Sequence, residues 1–216
     1  MNSKLATLLT LLIVFLFSFN AGYSQDQEEF VSNTPDSLKI KRFNLGLKLG
    51  IPNLIGGSAE VLLPLLDNGI APFIDYSGLD INTNEVATNL SYFEYGVNYY
   101  PNRKGTGFFL ALGRAQFKTD LTFYDLVFSE AGQSVVGDAS TTFDFNTTNI
   151  KLGIKAGSRI YFRFELGFGF GTIPEEIEFT AQSGGIEEFF SEPLPPLPGV
   201  SSGGILIGNV GFGLAF

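Results

Sequence analysis

The sequence predicts an all-β fold, and three observations support that prediction. Apolar residues alternate with polar or small ones over many short segments, and a period of two is typical of a β-strand. Turn sequences such as "DNG" and "PNRKGTG" separate these segments. No stretch beyond the first 24 residues has the apolar periodicity of an amphipathic helix. We therefore expect a single β domain over residues 43–216.

The composition excludes several functional classes. The chain has 216 residues, with 13 Lys and Arg against 22 Asp and Glu, and its net charge of −9 argues against a nucleic-acid partner. It has no cysteine, so disulfides, cysteine-based zinc sites and a lipid on an N-terminal cysteine are excluded. It has no histidine, so a Ser–His nucleophile system is unavailable. We expect no cofactor and no enzymatic activity.

The N-terminus has the pattern of a secretory signal peptide over residues 1–24. A single lysine at position 4 precedes an apolar run from Leu5 to Phe19, and small residues follow it up to Ser24. A transmembrane helix is the alternative, but the run is shorter than the roughly 20 residues that a span requires. Residues 25–42 are polar and without pattern, which predicts a periplasmic linker.

Eight segments beyond residue 42 have strand character. In the seventh, Phe162 and Phe164 share one face while Arg163 and Glu165 share the other. The pattern does not assign the facing of the segment 107–118. A count of ten would follow if 121–128 and 140–146 formed a further membrane hairpin, but that would require a periplasmic turn where only a long connection is available. The eight segments are 43–51, 58–66, 70–77, 91–100, 107–118, 148–156, 159–171 and 206–216.

Alternation alone does not say which face meets water. A soluble lipocalin-like barrel would turn its phenylalanines inward, whereas a membrane barrel turns apolar residues toward lipid. The polar face is rich in Gly, Ala and Asn with isolated charges of both signs, which suits a narrow interior. The connections favour a membrane barrel too, because after the first connection, at 52–57, short ones at 67–69, 101–107 and 157–158 alternate with long ones.

The long connections, all on one side, are 78–90, 119–146 and 172–203, and outer-membrane barrels have short periplasmic turns and longer external loops. The chain also ends inside a strand, as it can when the last strand pairs with the first. We therefore predict a single closed, antiparallel, up-and-down transmembrane β-barrel with eight strands.

The final strand resembles the signal by which bacterial outer-membrane proteins are recognised by the barrel-insertion machinery. Its terminal phenylalanine is preceded by apolar residues at alternate positions; the matching residues are Val210, Phe212, Leu214 and Phe216. The rest of 43–216 resembles small barrels of the OmpA, OmpX and OmpW kind, particularly the outer membrane protein β-barrel domains of the Bacteroidota. The resemblance implies a bacterial outer-membrane location in the cell envelope. The implied partners are outer-membrane lipid, lipopolysaccharide and the insertion machinery.

Charged residues on the polar face predict a charge cluster in the lumen. Carboxylates there could act as an acid–base pair, but the expected role is to neutralise the neighbouring cations. The predicted cluster comprises Lys48, Glu60, Asp75, Glu94, Lys151, Lys155, Arg163 and Glu165.

Two long loops, 119–146 and 172–203, are strongly acidic. Solvated acidic loops are the simplest interpretation, and contacts with a protein partner or with divalent cations are the alternatives. We expect a structural or surface-interaction role, with a lumen largely filled by side chains, because eight strands leave little interior space. A narrow, porin-like channel for small or apolar solutes is the alternative. A lipocalin-like ligand binder would replace both if the barrel were soluble.

Overall fold

A computed structural model describes residues 40–130, 133–183, 186–194 and 199–216. The predicted signal peptide and the linker up to residue 39 lie outside these ranges. In the described part of the chain, no helix is long and apolar enough to cross a membrane. The elements are β1 (Phe43–Ile51), β2 (Leu54–Val61), β3 (Ile70–Asn82), β4 (Val86–Tyr99), β5 (Gly107–Glu130), β6 (Gln133–Gly157), β7 (Ile160–Phe170), β8 (Glu176–Ser183), β9 (Ile186–Pro193), β10 (Val200–Ser201) and β11 (Gly204–Ala215).

Eight of these strands close into an antiparallel barrel. Strands β1 to β7 pair in sequence order, and β11 pairs with both β7 and β1. The last residue takes part in the closure, since the Phe216 N–H donates to the Phe43 carbonyl at 2.8 Å and the Phe216 carbonyl accepts from the Arg42 N–H at 2.8 Å. The prediction of a closed eight-stranded barrel is confirmed.

The register of the strands sets their tilt. We follow the directly paired positions from strand to strand, starting at Ile51 on β1 and passing through β11, β7, β6, β5, β4 and β3. The path reaches Ile70 and then its bridge partner Leu63, next to β2. In the β1–β2 register Phe43 lies opposite Val61, so Leu63 lies opposite position 41. One circuit of the barrel that starts at Ile51 therefore returns to β1 ten residues away, and this is the stagger of the barrel. An eight-stranded barrel with such a stagger has strands tilted by roughly 40°.

The apolar residues face outward. On β7 the outward row runs from Ile160 to Phe170, and residues of the opposite parity, such as Arg163 and Glu165, are buried inside. Ten residues of strand at this tilt give an apolar band about 25 Å tall, which matches the hydrocarbon-facing band of a membrane barrel. On β5, whose facing the sequence does not assign, Leu110 and Leu112 lie outward.

The predicted loops contain far more strand than the sequence indicates. The segment 78–90 is mostly strand, because β3 and β4 continue to a short turn at residues 83–85. The segment 119–146 continues the β5–β6 ladder, with a bulge between Phe123 and Leu126. In this ladder 121–128 pairs with 135–141, and 140–146 pairs with 116–122. Both segments therefore extend existing strands and add no membrane hairpin. The second strand, predicted at 58–66, lies nearer the N-terminus, since β2 runs from Leu54 to Val61.

The segment 172–203 also folds, contrary to its prediction as a loop. It contains the β8–β9 hairpin, and β8 pairs with the upper part of β6 at Asp138–Ser140. The barrel wall therefore continues on one side as a sheet of β5, β6, β8 and β9 beyond the apolar band.

Apolar clusters stand at both ends of the interior. Near the short turns the cluster comprises Leu62, Ala71, Phe73, Tyr100, Phe109 and Ala111. Near the long connections the buried members are Phe145, Ile173 and Ile205, with Phe117, Phe143, Leu194 and Val200 packed against them. Ile173 is held there because its N–H donates to the Ser202 carbonyl at 3.1 Å.

Candidate functional site: a buried ion-pair network

Eight charged side chains meet inside the barrel. Each stands at an inward position of its strand, so the alternation of the sequence directs it away from the apolar exterior. They are the only charged residues that are buried among the described residues. Their strands are β1 (Lys48), β2 (Glu60), β3 (Asp75), β4 (Glu94), β6 (Lys151 and Lys155) and β7 (Arg163 and Glu165).

Glu60 is the centre of the half of the network that lies near the short turns. Its carboxylate accepts from Lys155 Nζ at 2.7 Å and from Arg163 Nη1 at 3.0 Å. Three neutral donors complete its environment: Asn98 Nδ2 at 2.5 Å, Tyr100 OH at 2.9 Å and Asn44 Nδ2 at 3.2 Å.

Lys48 and Lys151 organise the other half. Lys48 Nζ donates to Asp75 at 2.6 Å and to Glu165 at 3.0 Å. These two carboxylates belong to β3 and β7, which lie on opposite sides of the barrel. Lys151 Nζ donates to Glu94 at 2.8 Å. It also lies 3.8 Å from Asp75 and 3.6 Å from Glu165, so the two lysines share carboxylates.

Arg163 connects the two halves into one network. Its Nη1 binds Glu60 at 3.0 Å, and its Nε lies 2.5 Å from Glu165. The four cations and four carboxylates balance, so the buried set is electrically neutral. A buried charge is tolerated when it is paired and hydrogen-bonded, and removal of one partner leaves the other uncompensated.

Aromatic rings line the charged layer. Lys151 Nζ lies 4.7 Å from the centroid of the Phe73 ring, and Arg163 lies 4.3 Å from that of Phe109. Lys155 Nζ lies 4.6 Å from the Tyr161 ring. Cations at these distances from ring faces are attracted by the ring quadrupole, more strongly in a desolvated site.

Small residues on β5 and β11 make room for the long charged side chains. A Cβ placed on Gly113 would lie 2.6 Å from Glu94 Oε1, and one on Gly213 would lie 2.5 Å from the Tyr161 hydroxyl. Because real Cβ atoms do not approach so closely, the glycines are required by the packing.

The residues of the predicted insertion signal lie on the outside of the closing strand. Val210, Phe212, Leu214 and Phe216 are all exposed and form one outward row next to β1 and β7. Recognition by insertion machinery stays a prediction.

The predicted acidic loops carry exposed carboxylates on the extended sheet. Among the residues that the structure describes, no group of three or more acidic side chains is arranged to hold a metal ion. A divalent-cation contact therefore has no formed site in the described ranges.

Several neutral members of the network were not predicted. Their positions in the alternating pattern could have placed them inside the barrel. The residue type alone, an amide or an aromatic ring, does not show which charged group it contacts. They include Asn44, Phe73, Tyr92, Asn149 and Asn209; Tyr92 donates to Glu94 at 2.7 Å and Asn149 donates to the Tyr92 hydroxyl at 3.1 Å.

Fold and site together define a closed eight-stranded β-barrel with an apolar exterior. Its interior contains charged side chains whose charges sum to zero. No family model and no curated protein matches the chain. Two solved structures are similar to it in fold. CarO of Acinetobacter baumannii is 12% identical, with a TM-score of 0.47, over 81% of this chain and 98% of that one.

A major outer membrane protein from Thermus thermophilus is 11% identical, with a TM-score of 0.45, over 81% of this chain and 99% of that one. At this level of similarity neither structure says anything about the activity or location of this chain.

Proposed function

We propose that this protein is an integral outer-membrane β-barrel with a structural or surface-interaction role and a lumen that does not conduct. The observation that carries the proposal is the layered interior. A neutral ion-pair network occupies the middle of the barrel, and an apolar cluster stands at each end.

The polarity of the barrel wall supports the membrane location. An outward apolar band about 25 Å tall suits a bilayer and would be unfavourable in water. A soluble lipocalin-like binder needs an apolar lining for its ligand, and the middle of this barrel is occupied by paired charged side chains. Export by a signal peptide at residues 1–24 is part of the same proposal.

The pairing of the interior charges supports a structural role over both catalysis and transport. Each of the four carboxylates lies within 3.0 Å of a lysine or arginine nitrogen, so none stands free as an acid or base. A solute path would have to break this network, and eight strands leave an interior that side chains can fill.

Conductance in planar bilayers tests the closed lumen. The folded barrel is inserted beside a porin, which serves as a positive control for insertion and current. We expect no stepwise current from this protein, while the porin gives regular steps. Reproducible steps from the wild-type barrel would support the narrow-channel alternative and contradict a filled lumen.

A further inference from the structure

The sheet that extends above the barrel carries a groove on its outward face. The groove has a volume of about 420 Å³. It lies where β5, β6, β8 and β9 run side by side, and hydroxyls and carboxylates line most of it. The lining residues used below are Asp120, Ser140, Thr142, Glu178, Thr180 and Phe189.

The position of the groove relative to the apolar band follows from the strands that form it. Thr142 and Ile150 lie on the same outward face of β6, eight positions apart. At the tilt of this barrel, that separation places the groove about 20 Å above the level of Ile150. The groove therefore faces sideways from the wall, beyond the apolar band.

The polar groups of the groove are held in place. The Thr142 hydroxyl donates to Asp120 Oδ1 at 2.8 Å across the β5–β6 ladder, and Lys118 Nζ lies 3.5 Å from Asp120 Oδ2. Thr180 lies opposite Ser140 on the neighbouring strand. Carboxylates and hydroxyls on fixed strands form a set of acceptors and donors spaced across one surface.

Phe189 is the feature that a solvated polar sheet does not explain. Its side chain is 73% exposed, and it lies on β9 opposite Thr180 within the groove. An aromatic ring with a free face beside hydrogen-bonding groups suits a ligand that has one apolar face and a polar edge. A pyranose ring has that form, since its C–H groups present an apolar face and its hydroxyls form the rim.

We propose that this groove binds a neutral saccharide. The Phe189 ring stacks on the sugar face, and the carboxylates of Asp120 and Glu178 accept hydrogen bonds from sugar hydroxyls. The same carboxylates repel phosphate and acidic sugars, which restricts the ligand to neutral units. The site goes beyond the proposed function and does not depend on it, because a free saccharide can reach the groove wherever the barrel is located.

The chain has no tryptophan, which makes a specific reporter available. The Phe189→Trp variant is folded into lipid nanodiscs and titrated with the methyl α-glycosides of glucose, mannose and galactose. We expect a saturable change in tryptophan emission with at least one of them. The Phe170→Trp variant, with its reporter on the outward row of β7, is expected to show no saturable change.

Acidic substitutions in the Phe189→Trp background identify the binding groups. Asp120→Asn and Glu178→Gln are each expected to weaken the apparent affinity by about tenfold, the loss of one charge-assisted hydrogen bond. Glu192→Gln is the matched control, because Glu192 is an exposed acid of the same hairpin whose parity on β9 directs it to the opposite face. It is expected to leave the affinity unchanged.

Two results would overturn the site: flat titrations with all three glycosides, or an equal loss of affinity in Glu178→Gln and Glu192→Gln. Nanodiscs that contain a glycolipid with neutral head-group sugars distinguish the source of the ligand. An emission shift before any glycoside is added, reversed by free glycoside, assigns the groove to membrane glycolipid. Saturable titration without that shift assigns it to free saccharide. Heat-dependent gel mobility of each variant reports barrel folding separately from binding.

Discussion

Glu60 is the most informative residue of the buried network to change. It is 2% exposed and binds two cations, Lys155 at 2.7 Å and Arg163 at 3.0 Å. Glu60→Gln keeps the shape of the side chain but leaves the interior with one excess positive charge. Removal of one partner from a buried ion pair costs about 3–5 kcal/mol. We expect the lower end, about 3 kcal/mol, because the amide oxygen still accepts a hydrogen bond.

The assay is urea unfolding of the barrel in lipid vesicles, followed by far-UV circular dichroism. Asp67→Asn is the matched control, because Asp67 pairs with Arg103 at 2.7 Å while both side chains are more than half exposed. The control is expected to cost less than about 1 kcal/mol. A second variant, Glu60→Gln with Lys155→Met, restores neutrality and is expected to recover part of the loss. If Glu60→Gln and Asp67→Asn lower the free energy of unfolding equally, the interior network does not stabilise the barrel.

Two further predictions concern the wall of the barrel. Phe164→Arg, in the middle of the outward row from Ile160 to Phe170 on β7, is expected to lower the free energy of unfolding by about 2–4 kcal/mol in vesicles, while Thr142→Arg, beyond the apolar band on β6, costs about 0–1 kcal/mol; equal costs would contradict the lipid-facing assignment. Gly213→Ala is expected to cost about 1–3 kcal/mol because its Cβ would meet the backbone carbonyl oxygen of Leu45 and the Tyr161 hydroxyl. Gly57→Ala, where a Cβ meets nothing within 4 Å, is expected to be close to neutral, and unfolding of the two variants under the same conditions separates them.

The barrel itself was predictable because an apolar outer face and a polar interior impose a strict pattern. On β7, the outward row from Ile160 to Phe170 is apolar, whereas the opposite face holds Tyr161, Arg163, Glu165 and two glycines, so strand and facing follow directly from the sequence. The pairing of the last strand, up to Phe216, with the first was predictable from the proposed membrane location, since an edge strand is not tolerated in lipid.

The extended sheet was not predictable by that reasoning, because both of its faces lie outside the apolar band. There the contrast between the two faces no longer follows the pattern of the barrel: 140–146 has Phe143 and Phe145 on the inward side and polar residues on the outward side. On β5 the outward row itself changes: Leu110 and Leu112 are apolar, whereas Arg114 and Gln116 further along the same face are polar, which left the facing of this strand open. One strand thus changes its outward character part of the way along.

The membership of the interior network followed from parity, whereas its pairings did not. Lys48 and Glu165 are 117 residues apart in the chain and meet inside the barrel. Their contact depends on the registers of β11 with β1 and with β7, which align Lys48 with Arg163 through Gly211. Sequence alone gives the charge balance and leaves the partners open.

Heat-dependent gel mobility of the outer-membrane fraction tests the central claim most directly. Closed barrels often stay folded in SDS until they are heated, so boiled and unboiled samples migrate differently. We predict that the wild-type protein is found in this fraction with a mobility shift. We also predict that deletion of Phe216 removes both the protein from the outer-membrane fraction and the mobility shift. Phe162→Ala, on the same outward surface, is the control and is expected to keep both. A protein that is found in the soluble periplasmic fraction and shows no shift would contradict the outer-membrane barrel.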